Sequence, residues 1–258
     1  MVSAVPAISV DTLYSPGMLE KVSAMRLRFL WVLFSIAVVA VWAGCRAEET
    51  RKDILGTEIK RYSQWNEELI IRDFFQDERG GVFLDVGCAW PVRKSTTFYL
   101  EKHLGWSGIA IDALDIYRPG WAAVRPRSEF LAYAVTDHSG DKVTFYQHAS
   151  APVLSSLSKE QAALMGGEES LTTVEVETIT LNDVLDARGV TRIDHMTLDI
   201  EGAEPAALAG FDIERFRPRL VVVEAGWLYE EYFESHGYEL IEEYIEHDKV
   251  NRYFRPVP

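Results

Sequence analysis

The sequence predicts an α/β protein with a doubly wound, mostly parallel sheet, an antiparallel pair of strands at its C-terminal end, and a hydrophobic helix ahead of the folded domain. Three observations carry that prediction. Val82 to Val86 is a short apolar run suited to a central strand buried on both faces. Gly108 to Asp112 repeats the pattern about one strand-helix-strand unit later, and each segment brings an acidic residue, Asp85 or Asp112, to the end of its strand. Strands and helices then go on alternating, as a doubly wound sheet requires.

The elements follow in chain order. Trp65 to Phe75 sets Leu69, Ile70, Phe74 and Phe75 at helical spacing, and Gly80-Gly81 breaks that helix before the first strand. Ser95 to Leu104 reads as the next helix, with Ser95 as its N-cap. Phe130 to Val135 is a third strand, and Asp141 to Gln147 with Thr173 to Ile179 add strands around a polar loop. Thr180 to Arg188 is a short helix closed by Gly189. His195 to Ile200 and Arg219 to Glu224 are further strands, and Tyr238 to Glu242 with Asn251 to Phe254 form the terminal antiparallel pair. No internal repeat is visible.

With 258 residues, 48% of them hydrophobic, the chain can bury one core of ordinary domain size. A net charge of -14 argues against a nucleic-acid partner, whose binding rests on Lys and Arg neutralising phosphates. Two cysteines, Cys45 and Cys88, exclude a disulfide framework. No His/Cys cluster has zinc spacing, and no metal is expected, a carboxylate-bound divalent ion at Asp199 and Glu201 being an open alternative that nothing requires.

The N-terminus reads separately. Residues 1–24 have no strong period and are expected to be disordered or untranslated. Residues 25–45 contain Phe29 to Cys45, an uncharged apolar run slightly short of the ~20 residues of a usual spanning helix. A single-pass membrane anchor is the first reading. A cleaved signal peptide starting near Met25-Arg26-Leu27-Arg28 is the second, and Ala43-Gly44-Cys45 resembles the end of a bacterial lipobox with Trp42 where leucine is usual. Residues 46–61 are a charged linker, and the catalytic domain is expected over 62–258.

The loop after the first strand, Gly87-Cys88-Ala89-Trp90-Pro91, has one glycine and a proline without an N–H, a poor cradle for a pyrophosphate. S-adenosylmethionine has no phosphate and needs acidic partners instead. Asp85 stands where it can accept from a methionine ammonium, and Asp112 where it can take both ribose hydroxyls. A second site follows in Leu198-Asp199-Ile200-Glu201-Gly202-Ala203-Glu204-Pro205. If the strand persists, Asp199 and Glu201 project to the same side, one as general base and the other toward a sulfonium. Alternatively Glu201 or Glu204 only satisfies free N–H groups at the start of the helix Pro205 to Ala209. Glu224 is a third acidic candidate, and His195 and His148 are alternative bases, His195 more simply a structural histidine. Trp121, Phe145, Tyr146, Trp227 and Tyr229 offer an aromatic sugar platform or, more simply, core packing.

These residues resemble the FkbM-type methyltransferases, class I enzymes that use S-adenosylmethionine. The resemblance runs from about Ser63 to Arg255: Ser63-Gln64, LDVGC at 84–88, STTFYLEKHLGWSGI at 95–109, Ala134-Val135 with Asp137, Ser155-Ser156-Leu157, Thr178 to Leu181, and Ile193-Asp194 leading to LDIEGAEP. It implies a Rossmann-like fold and an O-methyltransferase acting on a hydroxyl of a sugar, glycan or small metabolite. It implies cofactor contacts at Asp85, Gly87 and Asp112, with the DIEGAE segment lining the active site; the full set expected to bind the cofactor is Asp85, Gly87, Cys88, Asp112, Ala134 and Val135, and Asp199 and Glu201 are the expected catalytic pair. Pro91 stands where the family commonly has glycine, and Thr96 where it has asparagine. The rival readings are a nicotinamide- or nucleotide-sugar-dependent enzyme and a catalytically silent membrane-tethered module whose crevice is blocked by Trp90 and Pro91. Because the cofactor is made in the cytosol, an anchored catalytic domain is expected to face it.

Overall fold

The computed structural model describes residues 51–164 and 167–258. The apolar run Phe29 to Cys45, and with it the anchor, signal-peptide and lipoprotein readings, lies outside the described residues, as does 1–24. Among the described residues no helix is long and apolar enough to cross a membrane.

The compact unit Lys52–Pro258 opens with a one-turn helix, α1 (Ile54–Thr57), whose Ile54 is buried and which packs on α2 (Glu67–Phe75). Part of the charged 46–61 segment therefore belongs to the folded body. The strands are β1 (Val82–Val86), β2 (Ser107–Asp112), β3 (Ser128–Ala132), β4 (Ala134–Val135), β5 (Lys142–His148), β6 (Leu171–Ile179), β7 (His195–Leu198), β8 (Leu220–Glu224), β9 (Tyr238–Leu240) and β10 (Asn251–Pro256). Seven form one sheet in the order β3-β2-β1-β7-β8-β10-β9. The first five run parallel, and β10 joins β8 and β9 antiparallel, the terminal pair expected from the sequence.

Period-two burial gives the sheet two apolar faces. Leu84, Val86, Met196, Leu198, Val221 and Val223 face a core closed by α6 (Leu181–Ala187), α7 (Glu204–Ala209) and α8 (Ile213–Phe216). Phe83, Leu220, Val222 and Tyr253 face a second core with α2 and α3 (Phe98–Leu104). Helices on both faces make the sheet doubly wound. The helical turns begin later than expected, so Thr97 and not Ser95 is the N-cap of α3; Ser95 Oγ, two residues earlier, accepts from Phe98 N at 3.2 Å.

One predicted strand is two. Phe130 to Val135 breaks at Tyr133, whose N–H bonds Asp112 O at 3.0 Å, after which Ala134–Val135 leaves the main sheet. It pairs parallel with β6, and β6 pairs antiparallel with β5, giving a three-stranded excursion β4-β6-β5. Between β5 and β6 lie a 3-10 turn, Pro152–Leu154, and a short helix, α5 (Lys159–Ala163). The last helix is α9 (Glu230–Ser235), and α4 (Arg118–Val124) lies between β2 and β3.

Candidate active site

Strand order reverses between β1 and β7, the place where an open α/β sheet leaves a crevice at its carboxyl edge. The two strand ends meet closely there. Asp199 N donates to Val86 O at 3.0 Å, and Gly87 follows with φ 85. A Cβ on Gly87 would lie 1.6 Å from the Asp199 carbonyl oxygen, so both the torsion and the approach require glycine. Beside this contact a cavity of about 220 Å³ opens, walled by Asp85, Gly87, Cys88, Asp112, Ala134 and Val135 together with Asp199 and Glu201. The six residues expected to bind the cofactor and the two of the expected catalytic pair all line this crevice.

The loop after β1 is fixed from several directions. Ala89 N donates to Asp112 Oδ2 at 3.0 Å and Leu114 N to Oδ1 at 2.8 Å, so both carboxylate oxygens are aimed by backbone donors and each keeps a free lone pair. Burial pushes Asp112 up to about 6, against those two hydrogen bonds. Trp121, buried, donates Nε1–H to Ala89 O at 2.8 Å. Trp90 stands in the wall, edge-on to Tyr117 at 5.2 Å, and the cavity remains open beside it. Cys88 is a free buried thiol that burial pushes well up, so it serves as apolar wall.

Asp85 reaches into the crevice from β1 and accepts from Thr97 Oγ1 at 2.6 Å. Burial raises its pKa while Thr97 and the charge of Arg125 oppose the rise. Arg125, 1% exposed, binds Glu101 at 2.6 Å, Thr97 Oγ1 at 3.1 Å and the Pro91 carbonyl at 3.0 Å, and lies over the Trp121 ring at 4.2 Å. One buried guanidinium thus ties the start of α3, the loop and α4 together beneath Asp85.

Across the crevice, Asp199, Glu201 and Glu224 bring carboxylate oxygens within 4.8 Å of one another. The route differs from the one expected. β7 ends at Leu198, and Glu201 enters through a turn with φ 53 instead of along a continuing strand. Glu204 takes the structural part: its Oε1 accepts from Ile200 N at 2.9 Å and its Oε2 from the Tyr229 hydroxyl at 3.2 Å, leaving Glu201 free to face Asp199. Burial and then the charge and hydrogen bond of Glu224 push Asp199 well up. Burial and the charge of Glu224 push Glu201 up to about 7, with a Gln161 hydrogen bond pulling the other way.

The histidines do not join this cluster. His195 is fully buried, pushed down to about 3 by burial, and its Nε2 pairs with Thr197 Oγ1 at 2.8 Å. His148 Nδ1 accepts from Ala151 N at 3.1 Å and Nε2 lies 3.3 Å from Ser170 Oγ, outside the crevice wall. Of the expected aromatic platform only Phe145 lines the crevice; Trp121 is a buried prop, and Trp227 is exposed with Arg252 over its ring at 5.2 Å. Sequence reading missed Trp65, Glu67, Lys94, Asn251 and the segment Pro152–Leu157 as wall residues. The resemblance had marked Ser155-Ser156-Leu157, and that was the one available signal. At the position of the family asparagine, Thr96 Oγ1 stands 3.4 Å from Thr197 Oγ1.

A family model described as the methyltransferase FkbM domain matches residues 85–254, more than half of the chain. No curated protein matches the chain. Among solved structures, a TehB-like SAM-dependent methyltransferase from Corynebacterium glutamicum aligns at 17% identity over 87% of this chain and 98% of its own, with a TM-score of 0.41.

Proposed function

This chain belongs to the FkbM methyltransferase family, and from that premise we propose that it transfers a methyl group from S-adenosylmethionine to a neutral hydroxyl of a sugar, glycan or small metabolite, with Glu201 as general base. The convergence of Asp199, Glu201 and Glu224 opposite Asp85 and Asp112 carries this reading.

The residues suit the cofactor. Ala134, Val135, Cys88 and Phe145 make an apolar wall beside Asp112, whose two aimed oxygens match a pair of ribose hydroxyls. Ala89 N and Leu114 N already donate to Asp112, so this loop does not present the nest of donors that a pyrophosphate needs. Bound there, S-adenosylmethionine supplies an electrophilic methyl group on a positively charged sulfur. Glu201, titrating near neutrality, takes the proton of the acceptor hydroxyl as its oxygen attacks. Asp199, held well above the ordinary carboxylate range by burial and by Glu224, limits the negative charge that gathers beside the cationic centre. Among the described residues that line the crevice Lys94 is the one cation, which disfavours phosphorylated or carboxylated acceptors. On this reading the Phe29 to Cys45 run is a membrane tether, with the catalytic domain on the cytosolic side because the cofactor is made there.

Calorimetric titration of the full chain with S-adenosylmethionine, S-adenosylhomocysteine and NAD tests the cofactor. Binding of the first two, weakened roughly 10- to 100-fold by Asp112→Ala, is expected; binding of NAD alone overturns the assignment. A panel of neutral glycosides and polyols with methyl-labelled cofactor tests the acceptor, and Glu201→Gln lowers kcat on any accepted member by roughly 100-fold or more. Activity abolished by chelation and restored by a divalent ion would assign the Asp199, Glu201 and Glu224 carboxylates to a cation and refute the role of Glu201 as base.

A further inference from the structure

Glu201 sits in a left-handed conformation that is unfavourable for any residue with a Cβ, so something must hold it there. Two side chains from the β5–β6 excursion do. Ser156 Oγ donates to the Glu201 carbonyl at 2.7 Å, and the Gln161 amide lies close enough to the Glu201 carboxylate to favour its ionised form. Gln161 also covers the next residue, where a Cβ built on Gly202 would lie 3.7 Å from Gln161 Cγ. The arm bearing both is itself anchored. Ser156 exchanges backbone hydrogen bonds with Tyr146 of β5 at 2.9 and 3.2 Å, and Ser158 Oγ accepts from Gln161 N at 3.2 Å to start α5.

We propose that Gln161 is a positioning residue: from α5 it holds the Glu201 carboxylate toward Asp199 and Glu224, while Ser156 fixes the backbone of the same turn. The inference rests on the reading of Glu201 as the base. The charged groups that face Glu201 are all acidic, Asp199 at the end of β7, Glu224 at the end of β8 and Glu204 at the start of α7. Against them a neutral amide from the excursion is the donor that keeps an ionised Glu201 aimed into the crevice. The excursion also contributes Pro152–Leu157 to the crevice wall, so the acceptor's surroundings and the base's orientation are built on one arm.

The test is a 13C NMR titration of the full chain labelled at the glutamate carboxyl carbon, with the Glu201 resonance assigned by its loss in Glu201→Gln. The wild-type midpoint is expected near 7. Gln161→Met, which keeps the length and removes the donor, moves it up by roughly one pH unit, and Gln161→Lys, which restores a donor with charge, moves it below wild type. Loosening of the turn would shift both variants the same way, so opposite shifts support the proposal and coincident or equal ones overturn it. Methyl transfer by Glu201→Gln judges the underlying reading separately: transfer retained at the wild-type rate removes Glu201 as base, whatever the titrations give.

Discussion

Gly87→Ala is the substitution whose cost can be worked out most directly. The new methyl would stand 1.6 Å from the Asp199 carbonyl oxygen and 2.7 Å from its carbon, where an ordinary contact begins beyond about 3.2 Å. Both atoms are backbone, so the loop and the end of β7 must separate by roughly 1.5 Å, stretching the 3.0 Å hydrogen bond from Asp199 N to Val86 O. Adding the penalty for a Cβ at φ 85 gives a loss of about 3–5 kcal/mol in unfolding free energy. Gly140→Ala is the internal control: its φ is 91 but no atom lies within 4 Å of the built Cβ, so it should lose only about 1 kcal/mol. Urea denaturation of both variants measures the difference, and calorimetry with S-adenosylhomocysteine measures what remains of the crevice. Equal destabilisation of the two, or wild-type affinity in Gly87→Ala, would refute the argument that close strand approach builds the site.

Three further outcomes follow from other parts of the structure. Asp112, raised to about 6 by burial, binds its proton more tightly folded than unfolded, so its contribution to the free protein's stability is full below the ordinary carboxylate pKa and is lost as pH rises through about 6. Ribose hydroxyls favour the ionised form, so S-adenosylhomocysteine affinity should fall as pH drops below 6, and Asp112→Asn should bind weakly with a flattened pH dependence. Arg125→Met leaves Glu101 buried without its guanidinium and should cost about 3–5 kcal/mol in urea denaturation, much of it recovered by adding Glu101→Leu. The full chain should sediment with membranes and resist alkaline extraction, while a chain starting at Lys52 stays in the supernatant; equal fractionation of the two removes the anchor.

The main sheet was legible because its strands are self-contained apolar runs. Val82 to Val86 needs no partner to be recognised, and the acidic residues at strand ends follow from the same segments. What was hidden depends on pairing across long separations. Nothing local to Tyr133 says that the chain leaves one sheet there for another, since the reason is a pairing with Thr178 and Ile179. Trp65 and Lys94 reach the crevice through the bridge between Ser63 and Lys94, and Asn251 through its register with Glu224 across β8 and β10. The approach of Glu201 to Asp199 was anticipated from a strand alternation that stops at Leu198; the turn reached a similar result by a different path. His148 shows the converse, a chemistry-bearing residue whose ring is already occupied by Ala151 and Ser170.

The shell around Ala89 bears on what this scaffold can become. Its N–H is committed to Asp112, its carbonyl to the Trp121 indole, and the neighbouring Pro91 carbonyl to Arg125. The loop, the Asp112 carboxylate and the supports beneath them are therefore tied together through main-chain groups. Substitutions to glycine keep those groups, but re-aiming the loop's N–H donors at a pyrophosphate would pull two carbonyls away from a buried indole and a buried guanidinium, so directed evolution toward a dinucleotide should stall at that movement of the backbone. Changes on the turn Pro152 to Leu154, which lines the crevice ahead of the residues that hold Glu201, meet no such barrier, and there the enzyme is free to diversify.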